Sequence, residues 1–156
     1  MSPEVLLVES SLNVAGIVIY ALRRTVPDIT IEYVKGASPA LDFLFRTGEY
    51  INRTPEQVPD LILLSMTLPH NDAGELLHII KSYVRTQAVP VVRLTAASGE
   101  GLPFEQFPIN AHSYIMKSDN RDEFMRQIAR VAAYWLNAGT PERSENNSPD
   151  FAASRH

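Results

Sequence analysis

The run Leu61-Ile62-Leu63-Leu64, bracketed by Pro59 and Pro69, constrains the fold more than any other stretch of the chain. A short apolar run without alternation is a strand covered on both faces, which is how the strands of a parallel sheet sit between layers of helices. The run predicts a strand over Asp60 to Leu64 that delivers Ser65 to its carboxyl end. Open α/β sheets build their sites at that rim, so Ser65 is placed for function. The plainer role for such a hydroxyl is a hydrogen bond to nearby backbone.

The rest of the chain repeats a strand-then-helix rhythm. Glu4 to Val8 reads as a first strand, and Leu12 to Thr25 carries Val14, Ile17, Val18, Ala21 and Leu22 at helical spacing. Ile29 to Val34 reads as a second strand. Ser38-Pro39 is expected to open a helix through Arg46, with serine as N-cap, proline at the first position and Gly48 closing it. Glu49 to Gln57 reads as a long surface connection, and Asp72 to Val84 as a helix turning Leu76, Leu77, Ile79 and Ile80 inward. Val89 to Leu94 and His112 to Met116 supply two more strands. Arg121 to Leu136 supplies a last helix with Phe124, Ile128, Val131, Ala132 and Trp135 on one stripe. Between those strands, Pro103 and Pro108 leave room for only a short or irregular fourth helix. Short connections between like units predict a three-layer αβα sandwich around a five-stranded parallel sheet of flavodoxin-like order 2-1-3-4-5.

With 156 residues, 45% of them hydrophobic and 21% charged, the chain fits one domain over residues 1–139 followed by a polar tail over 140–156. Phe151 and Ala152-Ala153 are the tail's candidates for docking on a neighbour. The 14 basic and 18 acidic residues leave a net charge of −4, which gives no footprint for nucleic acid or an anionic membrane. No cysteine, no leader over Met1 to Leu12 and no bilayer-length apolar run together predict a soluble, cytoplasmic protein.

Several phrases resemble one family. Val5-Leu6-Leu7-Val8-Glu9, Pro59 to Leu64, Leu68-Pro69, Asp72, Leu94-Thr95 and Ser113-Tyr114-Ile115-Met116-Lys117 are similar to the receiver domain of two-component response regulators, over roughly residues 4 to 138. The connection Gly48 to Val58, the phrase Leu41 to Arg46 and the ending Tyr134-Trp135-Leu136 look like the stand-alone regulators that partner phytochrome-type histidine kinases.

That resemblance implies a carboxylate that accepts a phosphoryl group from a kinase histidine, beside Mg²⁺ held by it and by an acidic pair. Here Glu9 occupies the first acidic position, Ser10 the second, and Ser65 the place of the phospho-accepting aspartate. Thr67 stands where a backbone carbonyl contacts the metal, Thr95 and Lys117 where phosphoryl oxygens are bound, and Tyr114 where an aromatic residue reports activation. One carboxylate among hydroxyls is a poor magnesium site, so weak or absent Mg²⁺ binding and no other cofactor are expected. A serine is also a poorer nucleophile than a carboxylate unless a base takes its proton, and Glu9 or His70 are the candidates. Lys117 is expected to pair with Glu9 or with Ser65 and hold the loops together.

The reading is therefore a degenerate, non-enzymatic receiver acting as a phosphorylation-independent interaction module. Its expected partner is a signalling protein such as a histidine kinase or phytochrome-type sensor. Phe104, Phe107, Tyr114, Tyr134 and Trp135, with Ile109, form either core or an interaction face, the latter suited to a homodimer through the fourth helix, fifth strand and fifth helix. The alternatives are a receiver switched by phosphorylation of Ser65 and a Ser65-dependent hydrolase or transferase. Thr95 to Gly101 fits no nucleotide fingerprint.

Overall fold

The computed structural model describes residues 3–54, 57–95, 113–118 and 120–136. Strands β1 (Glu4–Val8), β2 (Thr30–Val34), β3 (Leu61–Ser65), β4 (Val91–Thr95) and β5 (Ser113–Met116) form one sheet. All its pairings are parallel and its order is β2-β1-β3-β4-β5, the flavodoxin-like order read from the sequence. Four α-helices lie among the described residues: α1 (Leu12–Thr25), α2 (Ala37–Phe45), α3 (Asp72–Ser82) and α4 (Arg121–Leu136). The expected fourth helix, with Phe104, Phe107 and Ile109, and the polar tail lie outside the described residues; α4 is the helix expected as the fifth.

Strand alternation divides the apolar side chains between two cores. Val5, Leu7, Leu61, Leu63, Val92 and Leu94 pack with α1 and α4 through Val18, Leu22, Phe124 and Ile128. Leu6, Val8, Ile62, Leu64 and Val91 pack on the other face with α2 and α3 through Phe43, Leu44, Leu76, Leu77 and Ile80. Each such side chain removed from water contributes about 1.5–3 kcal/mol, which is why the central strands carry hydrocarbon on both faces.

Local chemistry shifts several expected boundaries. Helix α2 begins at Ala37 with Gly36 as its N-cap, so Ser38 is not the cap. Pro39 then falls in the first turn, where its missing N–H has no intrahelical partner to lose. The same helix ends at Arg46, which takes a left-handed conformation at φ 59° and ψ 49°, so the helix stops before Gly48. Gly48, at φ +58°, opens a 3₁₀ turn over Gly48–Tyr50 inside what reads as plain connection. That turn is anchored: Tyr50 packs edge-on against Phe43 at 5.1 Å, its hydroxyl donates to the Glu32 carboxylate, and Arg53 reaches Glu4 at 3.1 Å. Helix α3 stops at Ser82 because Tyr83 turns extended, short of the expected Val84. Ile79 and Trp135 are half-buried rather than fully inward. Ile29 lies outside β2 but remains buried.

Candidate functional site

Three strand ends meet at one rim. The end of β1 brings Glu9, fully buried at 0% exposure, and the following residues turn at once into α1. Ser11 caps α1 by accepting from the Val14 N–H at 3.2 Å, and its own N–H donates to Glu9 Oε2 at 2.9 Å. The Tyr33 hydroxyl donates to the Glu9 backbone carbonyl at 2.7 Å, and burial, with the Glu9 charge adding to it, raises that phenol above its ordinary value. Ser10, between these two residues, is exposed.

The end of β3 brings Ser65, also at 0% exposure. Its hydroxyl lies 3.0 Å from Thr67 Oγ1 and accepts from the Thr67 N–H at 3.3 Å. Just past β5, Lys117 continues the ladder through its N–H to the Thr95 carbonyl at 2.9 Å. Its ammonium reaches back over the rim to Glu9 Oε1 at 3.1 Å, Ser65 Oγ at 3.1 Å and Thr67 Oγ1 at 3.0 Å. The contact with Glu9 is ionic rather than a well-aligned hydrogen bond, and the two hydroxyls take the directional bonds. An ammonium has three N–H donors and here meets three oxygen acceptors.

The structure thus brings Glu9, Ser65, Thr67 and Lys117 together. It places Thr95 beside them, but the Thr95 hydroxyl donates to the Ile115 carbonyl at 3.3 Å. His70 is exposed, at φ 62°, and the hydrogen-bond partners of the Ser65 hydroxyl among the described residues are Thr67 and Lys117. Sequence reasoning treated Thr67 only through its backbone and missed the part played by its side chain. It also missed the clasp of Ser11 and Tyr33 around Glu9. Ser11, immediately before the first residue of the expected helix, is a cap signal that could have been read, whereas no local signal points to Tyr33.

The donor chemistry does not fit a divalent cation. Magnesium asks for several hard oxygen ligands in octahedral array, and the cluster offers one carboxylate. Its two oxygens already face Lys117 and the Ser11 N–H, and the remaining side-chain oxygens are neutral hydroxyls. Among the described residues no group of three or more His, Cys, Asp or Glu side chains is arranged to hold a metal. Nor is any helix among them long and apolar enough to cross a membrane.

No family model matches the chain. Response regulator Rcp1 of Synechocystis sp. is 30% identical over 136 residues, 87% of this chain and 90% of the relative. The probable methanogenesis regulatory protein FilR2 of Methanothrix harundinacea is 30% identical over 132 residues, 85% of this chain and 83% of the relative. Among solved structures, the phosphorylated cyanobacterial phytochrome response regulator RcpA superposes with a TM-score of 0.79 at 28% identity, covering 90% of this chain and 98% of that one. The Mn²⁺-bound form of Rcp1 superposes with a TM-score of 0.76 at 29% identity, covering 88% and 97%. The parallel sheet, its order and these likenesses place the chain in the response-regulator receiver family of signal-transduction proteins, similar to response regulator Rcp1 and to the cyanobacterial phytochrome response regulator RcpA.

Proposed function

We propose that this receiver works as a phosphorylation-independent protein-interaction module in signal transduction, without enzymatic activity of its own. The observation that carries the reading is the engagement of Lys117. The cation that would meet incoming phosphoryl oxygens is neutralised by Glu9 and hydrogen-bonded by Ser65 and Thr67. Phosphoryl transfer depends on positioned cations that stabilise developing charge, and the cluster supplies one ammonium whose charge is already matched. Likeness to Rcp1 and RcpA supports a histidine kinase or phytochrome-type sensor as partner. The face proposed for that partner, or for a second copy, includes Tyr114 on β5 and the edge-to-face pair of Tyr134 and Trp135 at 4.8 Å near the end of α4.

A second reading has one observation in its favour. Lys117 stands 3.1 Å from Ser65 Oγ, so a phosphate on Ser65 would meet a cation. Against it, Ser65 is at 0% exposure, and a kinase acting on it would need the rim to open. Intact-protein mass spectrometry with site mapping separates the two. The expected result is unmodified protein both as isolated from the cells that make it and after treatment with acetyl phosphate and Mg²⁺. Phosphate on Ser65 in either sample would replace the first reading by the second.

A further inference from the structure

Strand β4 carries a charge where its neighbours carry hydrocarbon. Arg93 is 4% exposed and sits in register between Leu64 on β3 and Tyr114 on β5. Val92 and Leu94 enter the core shared with α1 and α4, so alternation sets Arg93 on the opposite face together with Val91 and Thr95. Its guanidinium carbon lies 6.0 Å from the centre of the Tyr114 ring, at the outer edge of the range over which a cation is attracted to an aromatic face. Burial lowers the proton affinity of the guanidinium, with Tyr114 opposing that shift.

A buried cation is costly unless its surroundings compensate it, and a planar guanidinium is compensated by an aromatic face better than an ammonium is. The Thr95 hydroxyl, two residues further along the same face, is committed to the Ile115 carbonyl. Arg93 faces the Tyr114 ring from within the sheet, while the Ser65–Lys117 cluster sits at the rim and engages other groups.

We propose that Arg93 is the positioning residue for Tyr114, holding the ring in place independently of the chemistry at Ser65. The inference rests on reading Tyr114 as part of the interaction face, and it names the device that sets that face in a receiver that does not depend on phosphate. Its test is solution NMR of the full chain carrying ¹³C-labelled tyrosine, with Tyr114→Phe assigning the ring signal. Arg93→Met is expected to shift the Tyr114 signal, Arg93→Lys to shift it less because charge is kept while the planar contact is lost, and Ser65→Ala to leave it in place. A signal unmoved in Arg93→Met, or moved as far by Ser65→Ala, overturns the proposal. Should the methionine variant not fold, an unmoved signal in Arg93→Lys overturns it equally. The ring is read on the isolated chain, so the outcome is separate from whether a partner binds.

Discussion

Glu9 and Lys117 join β1 to the end of β5 across a sheet in which β3 and β4 lie between them. The carboxylate side chain is 1% exposed and the ammonium side chain 17%, so the pair is shielded from water mainly on the acid's side. Removing the base leaves a buried, uncompensated carboxylate, and breaking such a pair costs about 3 kcal/mol. Lys117→Met is therefore expected to lower stability by about that much in urea titration, and Glu9→Gln with Lys117→Met to recover most of it. An unchanged melting temperature in the single variant would remove the pair from the account. Glu9, Ser65 and Lys117 were legible as rim positions because each follows an apolar run whose end marks the end of a strand. The expected pairing of Lys117 with Glu9 or Ser65 is found with both, though it came from the family resemblance and not from a local pattern, since Lys117 and Ser65 are 52 residues apart. The hydrogen bond of Tyr33 to Glu9, 24 residues apart, was not legible, because such contacts follow from sheet register, which no local pattern encodes. Arg93 escaped notice for a related reason, since Val91-Val92-Arg93-Leu94 reads as a strand whatever its third residue faces.

At the scale of elements, periodicity located every described strand and α-helix to within two residues but not the 3₁₀ turns at Gly48–Tyr50 and Pro69–Asn71, and the remaining errors gathered at caps and ends. Strand limits depend on which ladder bond is last, as with Met66 N–H to the Leu94 carbonyl at 2.8 Å beyond the end of β3. The stop of α2 depends on Arg46 accepting a left-handed conformation, which side-chain pattern does not announce. That conformation is disfavoured for a residue with a Cβ, so Arg46→Gly is expected to raise stability by up to about 1 kcal/mol relative to Arg46→Ala in thermal unfolding. The end of α3 is tied differently. Lys81 Nζ donates to the Gln87 and Val89 carbonyls at 3.1 and 3.0 Å, and the Thr86 hydroxyl donates to the Ile80 carbonyl at 2.6 Å. Burial lowers the Lys81 ammonium to about 8 from an ordinary 10.5. Between those values the unfolded chain binds more protons at this site than the folded one, so the Lys81 contribution to stability rises with pH across that window and is least favourable below pH 8. Urea titrations at pH 8 and pH 10.5 should show wild type gaining on Lys81→Met; a gap that does not change with pH would contradict it.

For the molecule as a whole, the two cores and the rim are separable problems. The cores need apolar volume on both faces of the sheet, and the sequence supplies it from β1 through β4. The rim needs only the backbone ends that those cores deliver, so its chemistry can change while the fold stays. Metal linkage tests that separation. A ligand that binds only the folded state stabilises by RT ln(1 + [L]/Kd), which is negligible well below Kd and about 2.7 kcal/mol at a hundredfold excess over it. Millimolar Mg²⁺, added or removed with chelator, is expected to leave the wild-type melting temperature unchanged, because Glu9 is the cluster's one carboxylate and faces Lys117. Ser65→Asp alone should respond weakly, for it pairs a second carboxylate with the same lysine and leaves Ser10 neutral. Ser10→Asp with Ser65→Asp adds two carboxylates beside Glu9 against one ammonium, so repulsion should lower its metal-free stability and Mg²⁺ should restore it. A large Mg²⁺ shift in wild type or in Ser65→Asp would mean that hydroxyls and backbone oxygens at this rim bind metal better than their chemistry allows, and the phosphorylation-independent reading would lose its physical basis.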